Sequence, residues 1–104
     1  MIKHALFARL EAKPGMEARV AEFLDQGLKL AHEEKTTPLW FALRLSPSTF
    51  GVFDAFHDEA GMQNHLNGPI AQALFGPALE LLASPPAIER IEVLGVKNAA
   101  TAPH

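Results

Sequence analysis

Residues 2–12 alternate in character with a two-residue period, and both halves of the alternation carry apolar side chains. Ile2, His4, Leu6, Ala8, Leu10 and Ala12 share one parity, while Lys3, Ala5, Phe7, Arg9 and Glu11 share the other. Successive side chains of a strand point to opposite faces of its sheet. The segment therefore predicts a strand with one strongly apolar face and a second that is partly apolar. Such a sheet needs helices over the first face, and it still has Ala5 and Phe7 to cover on the second.

The rest of the chain supplies those helices. Lys13-Pro14-Gly15 punctuates the sequence. Met16, Val20, Phe23, Leu24, Leu28 and Ala31 then fall on one stripe of a helix of about five turns. Pro38 closes that stretch, because the residue before a proline is pushed away from helical angles. Leu39–Ser46 and Phe50–His57 are aromatic-rich runs joined by Pro47-Ser48-Thr49, a hairpin signal. Asp58 and Glu59 suit a helix N-terminus, and Met62, His65 and Leu66 share a face of the helix that follows, up to Asn67-Gly68-Pro69. A second helical piece over Ile70–Ala83 is expected to break at Gly76-Pro77. Ile88–Val96 reads as a last strand, and residues 98–104 as a flexible C-terminal tail after one domain over 1–97.

The order βαββαβ predicts an α+β, ferredoxin-like fold, an antiparallel sheet with its helices on one face. With 104 residues there is room for one core, and folding should bury roughly 65% of the unfolded chain's surface. Net charge is −3, which gives no reason to expect nucleic acid or an anionic membrane as partner. Cysteine is absent, so no disulfide framework, thiol nucleophile or thiolate metal site is available, as suits the cytoplasm. No apolar run approaches a membrane span.

Several side chains stand out chemically. His65, at the edge of a buried stripe, is either a proton acceptor near neutral pH or a structural histidine bonded to Asp54 or a backbone carbonyl. Asp54 lies in an otherwise apolar strand with Phe56 facing the same way. It must be paired, perturbed or at an edge, because burying a lone carboxylate is costly. Trp40, Phe41, Phe50, Phe53, Phe56 and Phe75 either line a pocket for a flat ligand or simply fill the core, and strand parity separates Trp40 from Phe41 and places Phe50 with Phe56. Arg44 is either an oxyanion partner or a rim charge. The other histidines lack ligand spacing, so no metal site is expected, and the glycines form no nucleotide loop.

Lys13-Pro14-Gly15, Trp40-Phe41-Ala42-Leu43, Phe53-Asp54-Ala55-Phe56, Asp58-Glu59-Ala60 and His65, in this order, resemble the antibiotic biosynthesis monooxygenase domain from about Ile2 to Val96. The resemblance implies a dimeric α+β barrel, with two sheets packed face to face and a ligand pocket between sheet and helices. It implies either a cofactor-independent oxygenase of phenols and quinols or a haem degrader. Asp54 matches a strand carboxylate of the family, and His65 a helix histidine. Phe56 stands where several members have Trp, Ala8 and Val52 where they place a pocket Asn. Ile70–Phe75 lacks the histidine that haem degraders use for iron.

The expectation is therefore a homodimer that binds a small aromatic or apolar ligand. His65, oriented by Asp54, would deprotonate a phenol or quinol that then reduces O₂, with Trp40, Phe41, Phe56, Phe75 and Arg44 around the substrate. No haem, flavin, metal or nicotinamide is expected to be needed. Replacing His65 by Ala should lower turnover at least about tenfold and leave the fold intact. The alternative is a non-catalytic ligand-binding dimer of the same fold.

Overall fold

The computed structural model describes residues 1–97. The expected tail at 98–104 lies outside the described residues. Four strands form one antiparallel sheet in the order β2-β3-β1-β4: β1 His4–Glu11, β2 Leu39–Arg44, β3 Thr49–Phe56 and β4 Ala87–Glu92. Helix α1 (Glu17–Ala31) connects β1 to β2. Helices α2 (Glu59–Leu66) and α3 (Pro69–Leu74), with a 3₁₀ turn at Pro77–Leu81, connect β3 to β4. This is the expected ferredoxin-like α+β fold.

Register fixes which side chains share a face. Leu6 pairs with Asp54, Ala8 with Val52 and Leu10 with Phe50. Trp40 pairs with Asp54 across β2 and β3. These side chains lie on the face under the helices, where Ala8, Leu10, Phe50 and Val52 are buried with Val20 and Leu24 of α1 and Leu74 of α3, and Leu6 and Phe56 with Met62 of α2. Each such apolar side chain contributes roughly 1.5–3 kcal/mol by leaving water. Leu28, placed by periodicity on the same stripe, is more exposed than Val20 and Leu24.

Helix boundaries follow local chemistry. The Asp58 carboxylate accepts a hydrogen bond from Gly61 N at 2.8 Å and caps α2. Pro69 opens α3 at a position where no amide hydrogen is needed. The expected break at Gly76-Pro77 is where α3 gives way to the 3₁₀ turn. The last strand is shorter than Ile88–Val96. It ends at Glu92 because its neighbour β1 begins at His4, the partner of Glu92, and beyond that pair only Val93 N finds a β1-side acceptor, Lys3 O at 2.9 Å.

Among the described residues, no helix lies over the other sheet face. Phe7, Phe53 and Phe41 stand in register across β1, β3 and β2, with the Phe41 and Phe53 rings 6.2 Å apart. Leu39, Leu43 and Ile91 share this face.

Candidate functional site: a buried carboxylate–imidazole–carboxylate line beside an apolar cavity

Asp54 sits on β3 with its side chain on the helix-covered face, where only apolar neighbours would otherwise surround it. Helix α2 crosses above and brings His65 to it, with Nε2 2.8 Å from Asp54 Oδ2. The second ring nitrogen is also occupied, since Nδ1 lies 2.7 Å from Glu34 Oε1. Glu34 comes from the loop between α1 and β2. The Thr37 hydroxyl of the same loop donates to that oxygen at 2.8 Å. The Phe56 ring packs on the imidazole, with centroids 5.5 Å apart.

The loop reaches this position because α2 leaves room for it. A Cβ at Gly61 would meet Thr36 O at 2.9 Å, and one at Gly68 would meet Glu34 Oε2 at 3.3 Å. Side-chain exposure is 7% for His65, 14% for Glu34 and 3% for Asp54.

With Asp54 and Glu34 both ionised, the two hydrogen bonds require a proton on each ring nitrogen, which an imidazolium supplies. Burial alone would push the His65 pKa down. The hydrogen bond and charge of Asp54, followed by those of Glu34, outweigh it and hold the group above its usual value. His65 also lies in the last turn of α2, where the helix dipole favours a cation. Burial pushes the Asp54 carboxyl up, against the opposing hydrogen bond and charge of His65.

Asp54 and His65 form part of the wall of a cavity between sheet and helices. The remaining wall is apolar, from Leu6, Val52, Leu24, Ile70 and Leu74, with Phe23, Trp40 and Phe75 as its aromatic members. The indole of Trp40 lies over Gly27 of α1, where a Cβ would touch its ring at 3.3 Å. Asp54 Oδ1 and Trp40 Nε1 are both buried without a hydrogen-bond partner, as is Glu34 Oε2. The cavity measures about 30 Å³, room for a water or two and well short of the ~150 Å³ that accepts benzene. Phe75, 46% exposed at the end of α3, stands at its rim with Ile88.

The structure thus brings Asp54, His65, Trp40 and Phe75 to one cavity, and Phe56 directly behind the imidazole. Phe41 and Arg44 are elsewhere. Phe41 points from the uncovered sheet face, 49% exposed, because it follows Trp40 on the strand and side chains alternate. Arg44 lies over the Phe50 ring at 4.5 Å and donates to Pro47 O at 2.9 Å. That geometry is a hairpin contact at the end of β2, far in register from Asp54. Glu34 was not singled out from sequence. A local hint was present, since Glu33-Glu34 follows the end of α1, where the dipole disfavours acidic groups.

Among the described residues no three His, Asp or Glu side chains converge as a metal site would require, and no helix is long and apolar enough to cross a membrane. No family model matches the chain, and no curated protein does. Solved structures do. The protein of unknown function NE2512 from Nitrosomonas europaea is 61% identical, superposes with a TM-score of 0.90 and aligns over 94% of this chain and 95% of its own. Two proteins titled "putative antibiotic biosynthesis monooxygenase" share the fold. The one from Nitrosomonas europaea has 12% identity, TM-score 0.79 and coverage of 88% and 90%. The one from Deinococcus radiodurans has 19% identity, TM-score 0.77 and coverage of 91% and 96%. A sequence match of that strength across nearly both chains, and a backbone shared with the monooxygenase-titled proteins, place this chain in the family of NE2512, on the antibiotic biosynthesis monooxygenase fold.

Proposed function

We propose that the chain is a cofactor-independent oxygenase that oxidises a small phenol or quinol with O₂, working as a homodimer. The observation that carries this reading is the unpaired Oδ1 of Asp54, a buried carboxylate oxygen on a residue of an apolar, aromatic-walled cavity. A carboxyl group with its pKa raised by burial is a better base than one in water. Both nitrogens of His65 are engaged, so the proton acceptor is Asp54 and the imidazolium stands behind it. This reverses the roles expected from sequence.

In the proposed reaction Oδ1 takes the hydroxyl proton, and the Trp40 Nε1–H is the donor available to the resulting phenolate oxygen. The apolar wall keeps water from the anion, whose ring carbon then reacts with O₂. For a quinol the balance is quinol plus O₂ giving hydroxyquinone plus water. The ring supplies all the electrons, and Asp54 returns the proton to the departing oxygen. No flavin, metal or nicotinamide enters. Phe75 must swing outward for even a single ring to enter, because the cavity is about 30 Å³.

A second reading is a ligand-binding dimer without catalysis, for which the same cavity would have to open. Anaerobic titration with a panel of quinols and phenols, followed by oxygen uptake on adding air, separates the two. The oxygenase reading expects saturable binding and uptake that Asp54→Asn lowers at least about tenfold. Binding without uptake favours the module.

The homodimer is proposed from the uncovered face. Phe7, Phe41 and Phe53 together with Leu39 and Leu43 make an apolar sheet surface of the kind small monomers seldom leave wet. Two copies related by a two-fold axis would cover it.

A further inference from the structure

Building on the oxygenase reading, we propose that Glu34 is a positioning residue, which holds His65 as an imidazolium while Asp54 takes the substrate proton. The geometry supplies the case. Glu34 Oε1 is 2.7 Å from Nδ1 and Asp54 Oδ2 is 2.8 Å from Nε2, so the imidazole has a carboxylate on each side. The groups facing it are Glu34 from the α1–β2 loop, Asp54 and the Phe56 ring from β3, and the carbonyl end of its own helix.

Proton counting shows what the second carboxylate does. At rest, two carboxylates and one imidazolium carry net −1. When Oδ1 of Asp54 gains the substrate's proton, the line becomes neutral. Both hydrogen bonds persist, because Nε2–H still donates to Oδ2 and Nδ1–H to Oε1. Were Glu34 uncharged, protonating Asp54 would leave the buried imidazolium with no carboxylate beside it. It would then shed a proton, since an unpaired buried charge is strongly disfavoured. The substrate anion would lose an adjacent cation at the moment it forms.

The loop is arranged to keep this carboxylate in place. The Thr37 hydroxyl bonds the oxygen that faces His65, and Gly68 lies against the other. Together they fix the Glu34 side chain at the imidazole.

The test is the histidine side-chain nitrogen spectrum of the substrate-free protein as a function of pH, which reports protonation of each ring nitrogen directly. In the wild type, His65 is expected to keep both protons to higher pH than an ordinary histidine, whose midpoint lies near 6.5. Asp54→Asn should retain a higher midpoint than the Asp54→Asn/Glu34→Gln double variant, because Glu34 remains. Glu34→Gln should lower the wild-type midpoint by about one pH unit or more. A wild-type His65 with a single proton at neutral pH overturns the proposal, and this measurement stands even if Glu34→Gln fails to fold. Equal midpoints in Asp54→Asn and the double variant, or an unshifted one in Glu34→Gln, overturn it too. Where quinol oxidation is observed, Glu34→Gln should reduce it at least about tenfold, and undiminished turnover sinks the proposal. The spectra need no substrate, so loss of the oxygenase reading would leave these midpoints as they are.

Discussion

The two faces of the sheet use the same four strands in opposite ways. Beneath the helices, the apolar side chains of β1 and β3 surround one carboxylate, and α2 and a loop supply an imidazole and a second carboxylate to balance it. On the other face an aromatic row, Phe7–Phe53–Phe41, runs across three strands with no helix above it. A buried charge is tolerated on the first face because its partners come from elsewhere in the same chain. Apolar surface on the second has no such partner among the described residues. The difference teaches that one face is completed by folding, while the other is left for the proposed dimer to cover.

Substituting His65 should break the first face most severely. His65→Ala leaves Asp54 and Glu34 buried without a cation, and removing one side of a buried pair costs about 3–5 kcal/mol. Urea denaturation should show that loss. This departs from the sequence-based expectation of an intact fold, which did not include Glu34. A melt close to wild type would mean that the two carboxylates simply protonate and the line is not structural.

Phe7→Glu attacks the second face, with a smaller expected effect that is seen in assembly. Truncating or charging an interface anchor typically costs 2 kcal/mol or more, roughly thirty-fold or greater in dissociation constant. Light scattering at micromolar concentration should move from a dimer toward the 11.3 kDa protomer. A wild-type monomer, or a dimer indifferent to Phe7→Glu, would show that folding alone completes both faces.

The smallest effect expected is on the pH dependence of stability, and it sharpens the contrast because it belongs to the first face. The folded pKa of His65 lies above its unfolded value, so its contribution is full below about pH 6.5 and fades as the pH rises through the folded pKa. Asp54 is also raised, so its contribution has the same sign, full below its unfolded pKa and fading as the pH climbs through the folded one. Tm should therefore decline by a few degrees toward alkaline pH, at about 4–8 °C per kcal/mol for a domain of this size. His65→Gln should flatten the decline above about pH 6.5, whereas Phe7→Glu should leave it in place. An equal slope in His65→Gln would assign the dependence to other groups.

Much of the fold was legible in the sequence, because strand parity and helix stripes are local. The alternation in residues 2–12 gave both faces of β1, and proline and glycine marked most of the breaks between elements. Parity also separated Phe41 from Trp40, yet both were grouped as ligand contacts, and the structure places Phe41 on the far side of the sheet. The candidate site was legible in part. Asp54 and His65 were conspicuous as polar groups in apolar company, and their pairing was one of the alternatives that the residues allowed.

By itself, the sequence determined element order, the apolar character of both sheet faces, and a carboxylate and an imidazole that had to find partners. Tertiary structure alone decided who those partners were. Glu34 and His65 are 31 residues apart, and nothing in the local pattern of His32-Glu33-Glu34-Lys35 distinguishes one exposed-looking acid from the next. Only the docking of α2 on the α1–β2 loop selects Glu34. The same holds for the end of β4, where the composition of Ile88–Val96 would sustain a longer strand but the start of β1 at His4 leaves residues beyond Glu92 almost without ladder partners. Periodicity is set by bonds between neighbours. Partnership is set by distances across the fold, which a linear pattern does not contain.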